Sequence, residues 1–545
     1  MRVSSGPRWD RETTLVSQLA ATASLFAFLL YFRHGTLLLY GDAVAHLNIA
    51  RRIFDSRTPG LLQLGTVWLP LPHLLMAPFL ISDSAWRTGI GGSIPSMVAY
   101  VLGSAGVLRL LRVSLGGSPA DANARAAAWT GALIYAANPN LIYMQATAMT
   151  ESLYLAFFIW AAVYVSEFAQ ACSEDRTNAP VAPLTRCGLC LTGACLTRYD
   201  GWFLAGAALV LAVVVVVRPG RRDLFPALLR FGLMALSAPL FWLAYNAVIY
   251  RNPLEFANGP YSALAIEQTK TAMSAISPHP GWHQPVVAFD YLLKSAEHNM
   301  AEGVWQKIWV AALIAGIVML ASRPKKRPLL LLLVPLLFYP LSIAYGSIPV
   351  YLPDWWPFSY YNVRFGLELL PAFSAAAALI VHCLLGLSRD RWRRIAVAVG
   401  VVVITAGSYA SVWRAQPICF QEARVNSRTR IPFETSLASN LEKLPHDSTL
   451  LMYLGDHVGA LQSAGIRLRR TINEGNHRPW RKPSDPEGLW ERALANPERY
   501  ADYAVAIAGD PVSESLRRRN LPSMLVIHTS GEPPATIFWT HAPPR

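Results

Sequence analysis

The sequence predicts a polytopic α-helical membrane protein with a small C-terminal α/β domain, and three observations predict it. Hydrophobic residues make up 53% of the 545 residues and charged ones 15%, more apolar chain than soluble domains bury, and they gather in runs close to the roughly 20 residues that span a bilayer. The tightest basic clusters, "RPGRR" at 218–222, "RPKKR" at 323–327 and "RDRWRR" at 389–394, each lie between two such runs, as the positive-inside rule expects of cytoplasmic loops. After Trp413 the hydropathy falls and short helix-like and strand-like segments alternate.

The formal charge of +14 therefore reads as loop charge and not as a nucleic-acid surface. Only seven of the 48 basic residues are lysine, a bias of GC-rich bacterial genomes and not a functional signal. The six cysteines form no framework: Cys187 and Cys190 make a CxxC with no second pair or nearby histidines, which argues against a metal or disulfide scaffold.

Apolar runs at 13–33, 92–111, 124–143, 152–171, 184–197, 202–217, 228–249, 304–321, 329–345, 362–385 and 395–412 give eleven candidate spans. The run 184–197 is short and can pair with its successor as a hairpin. A cytoplasmic N-terminus with strict alternation places all three basic loops inside. It puts Asp42, the "MTES" junction at 149–152, "TRYDG" at 197–201, the loop 250–303, "YYNVRFG" at 360–366 and the C-terminal tail on the outer face, the periplasmic or extracellular side of a bacterial inner membrane. The first span is expected to persist as an uncleaved anchor.

The first outer loop, 34–91, is too long for a connector. In 43–55, Leu47, Ala50, Ile53 and Phe54 fall on one helical face, with Asn48, Arg51, Arg52 and Asp55 mostly opposite, the pattern of a helix lying along the membrane interface. "WLPLPHLLMAPFLI" at 68–81, broken by three prolines, suits a re-entrant or interfacial segment. The chain divides into a membrane domain, 1–412, and an extracytoplasmic domain, 413–545. The latter carries helix-like segments at 434–443 and 486–496 and strand-like ones at 448–454, 503–509 and 523–529.

Ionisable and aromatic polar residues gather at the outer ends of the spans and leave their centres nearly free of charge. A charge in hydrocarbon costs at least about 2.5 kcal/mol, so a transporter accepts it mainly at its transport site; the distribution here points to a reaction at the outer surface. Asp42 follows "LLLYG" and reads either as a helix N-cap or as a general base, with His46 one turn on to orient it or a substrate hydroxyl. Glu151 repeats the arrangement behind Thr150, as a dipole complement or a second acid. Arg198, Tyr199 and Asp200 form either an internal ion pair or a sugar or phosphate contact. Arg364, beside Tyr360, Tyr361 and Asn362, either snorkels to headgroups or grips a lipid phosphate with its planar fork.

These residues resemble the GT-C superfamily of membrane glycosyltransferases, specifically bacterial proteins similar to protein O-mannosyltransferases and aminoarabinose transferases. The resemblance covers 13–412: many spans, a first outer loop with two interfacial helices, and an acid just after the first span. It implies transfer of a sugar from a polyprenyl-phosphate donor, usually with inversion, to a protein, lipid or glycan acceptor on the outer face. Residue by residue it implies Asp42 as base, Glu151 as a second acid of the site and Arg364 as ligand of the lipid phosphate, with His46, Arg198, Tyr199, Asp200, Tyr361 and Asn362 as substrate-binding candidates. Relatives often carry paired acids in the first loop, whereas "GDA" has one; divalent-metal dependence is thereby put in question, and no other cofactor is indicated.

The chemistry is coherent by itself. Inversion at an anomeric carbon needs one carboxylate to activate the incoming hydroxyl, and a phosphate leaving group needs only a cation to stabilise its charge. A transporter or flippase for a lipid-linked sugar should show repeated halves or mid-membrane charges, and neither is present. A non-catalytic assembly subunit is the third class. The discriminating observation is whether Asp42, Glu151 and Arg364 converge.

Overall fold

The computed structural model describes residues 10–116, 121–173, 181–217, 222–274, 278–388, 390–455, 457–476, 486–519 and 521–541. Among them eight helices are long and apolar enough to cross a membrane: Arg11–Arg33, Ile90–Leu115, Glu151–Ser173, Phe225–Tyr250, Val304–Ala321, Lys326–Tyr345, Val363–Leu387 and Arg391–Asn426. Three shorter helices, Ala122–Ala136, Val181–Cys195 and Asp200–Val216, occupy the other predicted runs. The chain is an integral membrane protein. Side-chain caps start several spans: Asp10 accepts from Thr13 N (2.9 Å) and Asp121 from Asn123 N (3.0 Å), each satisfying a backbone donor that the first helical turn leaves open. Asp10 and Glu12 also pair with Arg112 and Arg125, tying the start of the first span to the end of the second and to the start of the helix Ala122–Ala136. Of the basic clusters, 218–221 and Arg389 lie outside the described residues.

At the opposite end of the bundle lies the first loop. Its leading helix, Gly41–Arg52, is seated on the span Ile90–Leu115 at Gly92, where a Cβ would overlap Ala148 and come within 2.8 Å of Leu47 Cδ2. The proline-rich stretch forms Leu71–Met76 and a 3-10 turn Ala77–Ile81, too short to span. The polar face of the leading helix is not left to water, because Asn48, Arg51 and Asp55 are buried. Asn48 Nδ2 donates to Gln462 Oε1 (2.8 Å), and Asp55 accepts from Leu468 N (3.3 Å) and Arg469 N (3.2 Å). The polar face thus meets the C-terminal domain, which satisfies its hydrogen bonds in place of water.

That domain contains a five-stranded sheet in the order β2-β1-β3-β5-β4. Strands β1 (Leu450–Met452), β2 (Thr471–Ile472) and β3 (Tyr503–Ile507) pair in parallel, while β5 (Ala535–Trp539) runs antiparallel to β3 and to the edge strand β4 (Ser523–Ile527). Three of the five strands lie at the predicted positions. β2 is two residues long and β5 has a mixed pattern, so neither carries a clear period-two signal.

The long loop 250–303 is largely helical, with Glu255–Asn258, Ala263–Ser274 and Pro285–Met300. His279, considered as an acceptor contact, is buried and bonds Glu267 Oε1 (3.0 Å) and Ile343 O (2.9 Å); His283 is exposed. The helix Pro285–Met300 backs the 3-10 turn Val363–Leu369 at Gly366, where a Cβ would overlap the backbone of Ser295 and Ala296. This contact sets the position of Arg364.

Candidate active site

Five separate stretches bring charge to the bundle end that carries the first loop. Arg364 is the hub. Its Nε donates to Glu151 Oε1 (3.0 Å), its Nη1 to Glu422 Oε1 (2.7 Å) and its Nη2 to Asp42 Oδ2 (2.6 Å), so one planar fork organises three carboxylates. Its guanidinium also lies 5.2 Å from the Tyr40 ring centroid. Every nitrogen of Arg364, which the resemblance implies as ligand of the lipid phosphate, serves an acid in the structure. Asp42 is in the first turn of its helix, behind Tyr40 at the cap position, and makes no capping bond.

Burial separates the acids. The Asp42 side chain is 41% exposed, whereas those of Glu151 and Glu422 are 1% and 0% exposed, so Asp42 alone of the three can meet a substrate. Glu151 Oε1 also accepts from Arg198 Nη1 (3.1 Å), which donates to Thr150 Oγ1 (3.1 Å) as well. Arg198 Nη2 donates to Tyr339 Oη (3.0 Å), whose hydroxyl donates to Asp200 Oδ2 (2.8 Å). Glu368 completes the inner layer, 3.8 Å from Arg198 Nε. Five carboxylates thus surround two guanidiniums, and the inner ones fix Arg364 and Arg198 while the outermost stays open.

His46 lies one turn beyond Asp42. Its Nδ1 shares a hydrogen bond with His73 Nε2 (2.9 Å), and its ring is 4.8 Å from that of Trp68. Burial, then Arg364 and Arg198, push His46 down to about 3. Burial, then His46 and Arg52, hold His73 well below the ordinary histidine range. The pair is neutral at pH 7, one ring donating and the other accepting.

The remaining predicted residues separate. Tyr199 turns away: its hydroxyl donates to Val67 O (3.0 Å) and its ring stacks on Phe256 at 4.9 Å. Asn362 has a left-handed backbone (φ 55°), donates its N–H to Glu422 Oε1 (2.8 Å) and spends its amide on Pro349 O (2.8 Å). Tyr361 is 43% exposed beside the cluster and pairs its backbone with Tyr351. Sequence reasoning missed Glu422, Glu368, Tyr339 and His73. Glu368 carried a signal, an acid inside "RFGLELLP" one turn after Arg364; Glu422 lies beyond the expected domain boundary in a stretch with no pattern of its own. Among the described residues no three His, Cys, Asp or Glu side chains are grouped to hold a metal ion.

No protein-family model matches the sequence, nor does any curated protein. The fold does have solved counterparts. ArnT from Cupriavidus metallidurans bound to undecaprenyl phosphate superposes with a TM-score of 0.53 at 15% identity, covering 96% of this chain and 98% of that one. The apo state of the same protein gives 0.50 at 13%, over 96% and 100%. The oligosaccharyltransferase AglB from Archaeoglobus fulgidus, in complex with an inhibitory peptide and a dolichol-phosphate, gives 0.46 at 13%, over 91% and 69%. The likeness to ArnT extends over nearly all of the chain, C-terminal domain included, so the two share a fold.

Proposed function

We propose that this chain is an integral-membrane glycosyltransferase. It moves a sugar from a polyprenyl-phosphate donor to a hydroxyl acceptor, with inversion, at the membrane face that carries the C-terminal domain. One observation carries the reading: Asp42, Glu151 and Arg364, more than a hundred positions apart in sequence, meet in one hydrogen-bonded cluster whose single open carboxylate is Asp42. Dispersed side chains would have favoured an assembly subunit. Support for the donor class comes from the shared fold, since the ArnT counterpart is bound to undecaprenyl phosphate.

In this reading Asp42 takes the acceptor proton as the new glycosidic bond forms. Arg364 aims the Asp42 carboxylate by holding one oxygen and leaves the other for the acceptor. The hydrogen bond lowers the basicity of the carboxylate, which is tolerable for a proton transferred only as bond formation proceeds. Glu151 and Glu422 fix Arg364 in turn, and Arg198, anchored by Glu151, Tyr339 and Asp200, holds Glu151 from behind. The active site then faces the periplasm or exterior, with the N-terminus inside.

The test is sugar transfer in vesicles supplied with labelled polyprenyl-phosphate sugars. Asp42→Asn keeps the shape and removes the base, so turnover is expected to fall by about 10²- to 10⁴-fold. Near-normal turnover by Asp42→Asn would remove Asp42 as base.

A further inference from the structure

His46 follows Asp42 by four positions on the helix Gly41–Arg52, so the two side chains leave one face with their Cβ atoms about 6 Å apart. What His46 presents beside the open carboxylate depends on where the histidine pair keeps its two hydrogens. His46 Nδ1 and His73 Nε2 are 2.9 Å apart and share one of them. In one arrangement His73 donates from Nε2, its Nδ1 is bare, and the His46 hydrogen sits on Nε2. In the other His46 donates from Nδ1, and His73 must carry its own hydrogen on Nδ1.

Burial selects between them. His73 is fully buried on the short helix Leu71–Met76, and its Nδ1 has no hydrogen-bond partner among the described residues. The second arrangement would seal an N–H away from every acceptor, a defect that folded proteins rarely keep; a bare nitrogen is the milder one. The positive charge of Arg52, which acts on His73, also favours a lone pair there over an N–H. His46 Nε2 has no partner among the described residues either, but it is not sealed in this way, so it carries a hydrogen without that cost. Trp68, with its ring 4.8 Å away, holds the imidazole from the side. Burial beside Arg364 and Arg198 keeps His46 neutral down to about 3, so near neutral pH its N–H donates without surrendering a proton, as a neutral histidine can in a catalytic site. Arg364 offers no such donor, its three nitrogens being committed to carboxylates. Hydrogen bonds to sugar hydroxyls strengthen as the anomeric carbon gains oxocarbenium character, and an uncommitted donor one turn from the base is placed to make one.

We propose that His46 is a specificity-determining residue of the transfer, its Nε2–H donating to a hydroxyl of the transferred sugar, with His73 as the positioning residue that keeps the hydrogen on that nitrogen. The inference rests on the transferase reading. No bond to His46 is made or broken: the acceptor oxygen bonds to the anomeric carbon, the bond from that carbon to the phosphate oxygen breaks with its electron pair on the phosphate, and the acceptor proton goes to Asp42.

The full chain in lipid nanodiscs, carrying isotope-labelled histidine, gives nitrogen resonances that report which ring nitrogen holds the hydrogen; those of His46 are the ones lost in His46→Asn. Wild type at pH 7 is expected to show His46 protonated on Nε2, and protonation on Nδ1 overturns the proposal whatever the variants do. Transfer is then measured with undecaprenyl-phosphate hexoses and pentoses, each beside its monodeoxy forms. His46→Gln puts an amide nitrogen near the place of Nε2, whereas His46→Asn fills only the place of Nδ1 and keeps the contact with His73. The Asn variant is expected to lose at least about tenfold in kcat/KM, the scale of one hydrogen bond made in the transition state, and the Gln variant to lose less. Removing the hydroxyl that His46 meets should slow wild type by a similar factor and leave His46→Asn unaffected. A ring that only packs against His73 gives the reverse order of the two variants, which overturns the proposal, as does an equal cost of every deoxy sugar in wild type and His46→Asn. If wild type transfers none of the sugars, the transferase reading falls and the sugar contact with it; normal transfer with His46 protonated on Nδ1 sinks the inference alone.

Discussion

At the scale of single residues, the cluster depends on the planar geometry of Arg364. Three nitrogens in one plane each meet a different carboxylate, which a lysine ammonium on a flexible stem does not reproduce. Arg364→Lys is therefore expected to lower kcat more than it raises the donor KM, measured in the vesicle assay. Arg364→Leu should go further and cost about 3–5 kcal/mol in stability, because it strands buried acids; a thermal melt in detergent reads this. His46 makes a prediction with a sign. Its value is depressed from 6.5 to about 3, so the neutral ring contributes stability that is complete above about 6.5 and is lost as the pH falls from there toward 3. His46→Asn should therefore shrink the drop in melting temperature between pH 7.5 and pH 5, and an unchanged drop would show that the ring is not neutral in the fold.

At the scale of elements, close backbone approach positions the site more than helix propensity does. The 3-10 turn Val363–Leu369 rests on the helix Pro285–Met300 because Gly366 has no side chain to overlap Ser295 and Ala296. Gly366→Ala is expected to cost about 1–3 kcal/mol by overpacking and to displace Arg364, so transfer should fall with stability. Gly206 is a control in a membrane helix, since a Cβ there meets nothing within 4 Å; Gly206→Ala should gain up to about 1 kcal/mol from helix propensity. Parallel melts of the two variants decide whether the contact or the residue type matters.

At the scale of the whole molecule, the C-terminal domain is joined to the site. Arg430 Nη2 donates to the carbonyls of Leu38 and Leu39 (2.9 Å each), immediately before the helix that carries Asp42, and Arg430 Nη1 donates to Glu434 (2.7 Å). Tyr40 Oη donates to Cys419 O (2.8 Å), and Gln462 bonds both Asn48 and Trp86 O. A chain ending at residue 426 would keep Glu422 and lose most of these clamps. Hydrogen exchange of the amides in 38–52 should then rise well above that of the spans, and unchanged protection would mean that the membrane domain holds the first loop unaided.

The sequence alone determined the class of the molecule and the end of the bundle at which its ionisable residues gather. Long apolar runs, basic loops and the fall in hydropathy after Trp413 are local properties that the bilayer imposes on any chain crossing it, and they placed Asp42, Glu151 and Arg364 at one end of the bundle. What each residue touches was decided by packing. Asp42 had the position of a cap and became the open acid of a buried network; Arg364 had the chemistry of a phosphate ligand and was taken up by three carboxylates, one of them Glu422 from beyond the last predicted apolar run. Arg52 read as part of a solvated helix face, and the C-terminal domain meets that face at Gly475, beside the Arg52 guanidinium. A hydrogen bond between residues hundreds of positions apart leaves no periodicity in either segment, so only the tertiary structure could pair these groups.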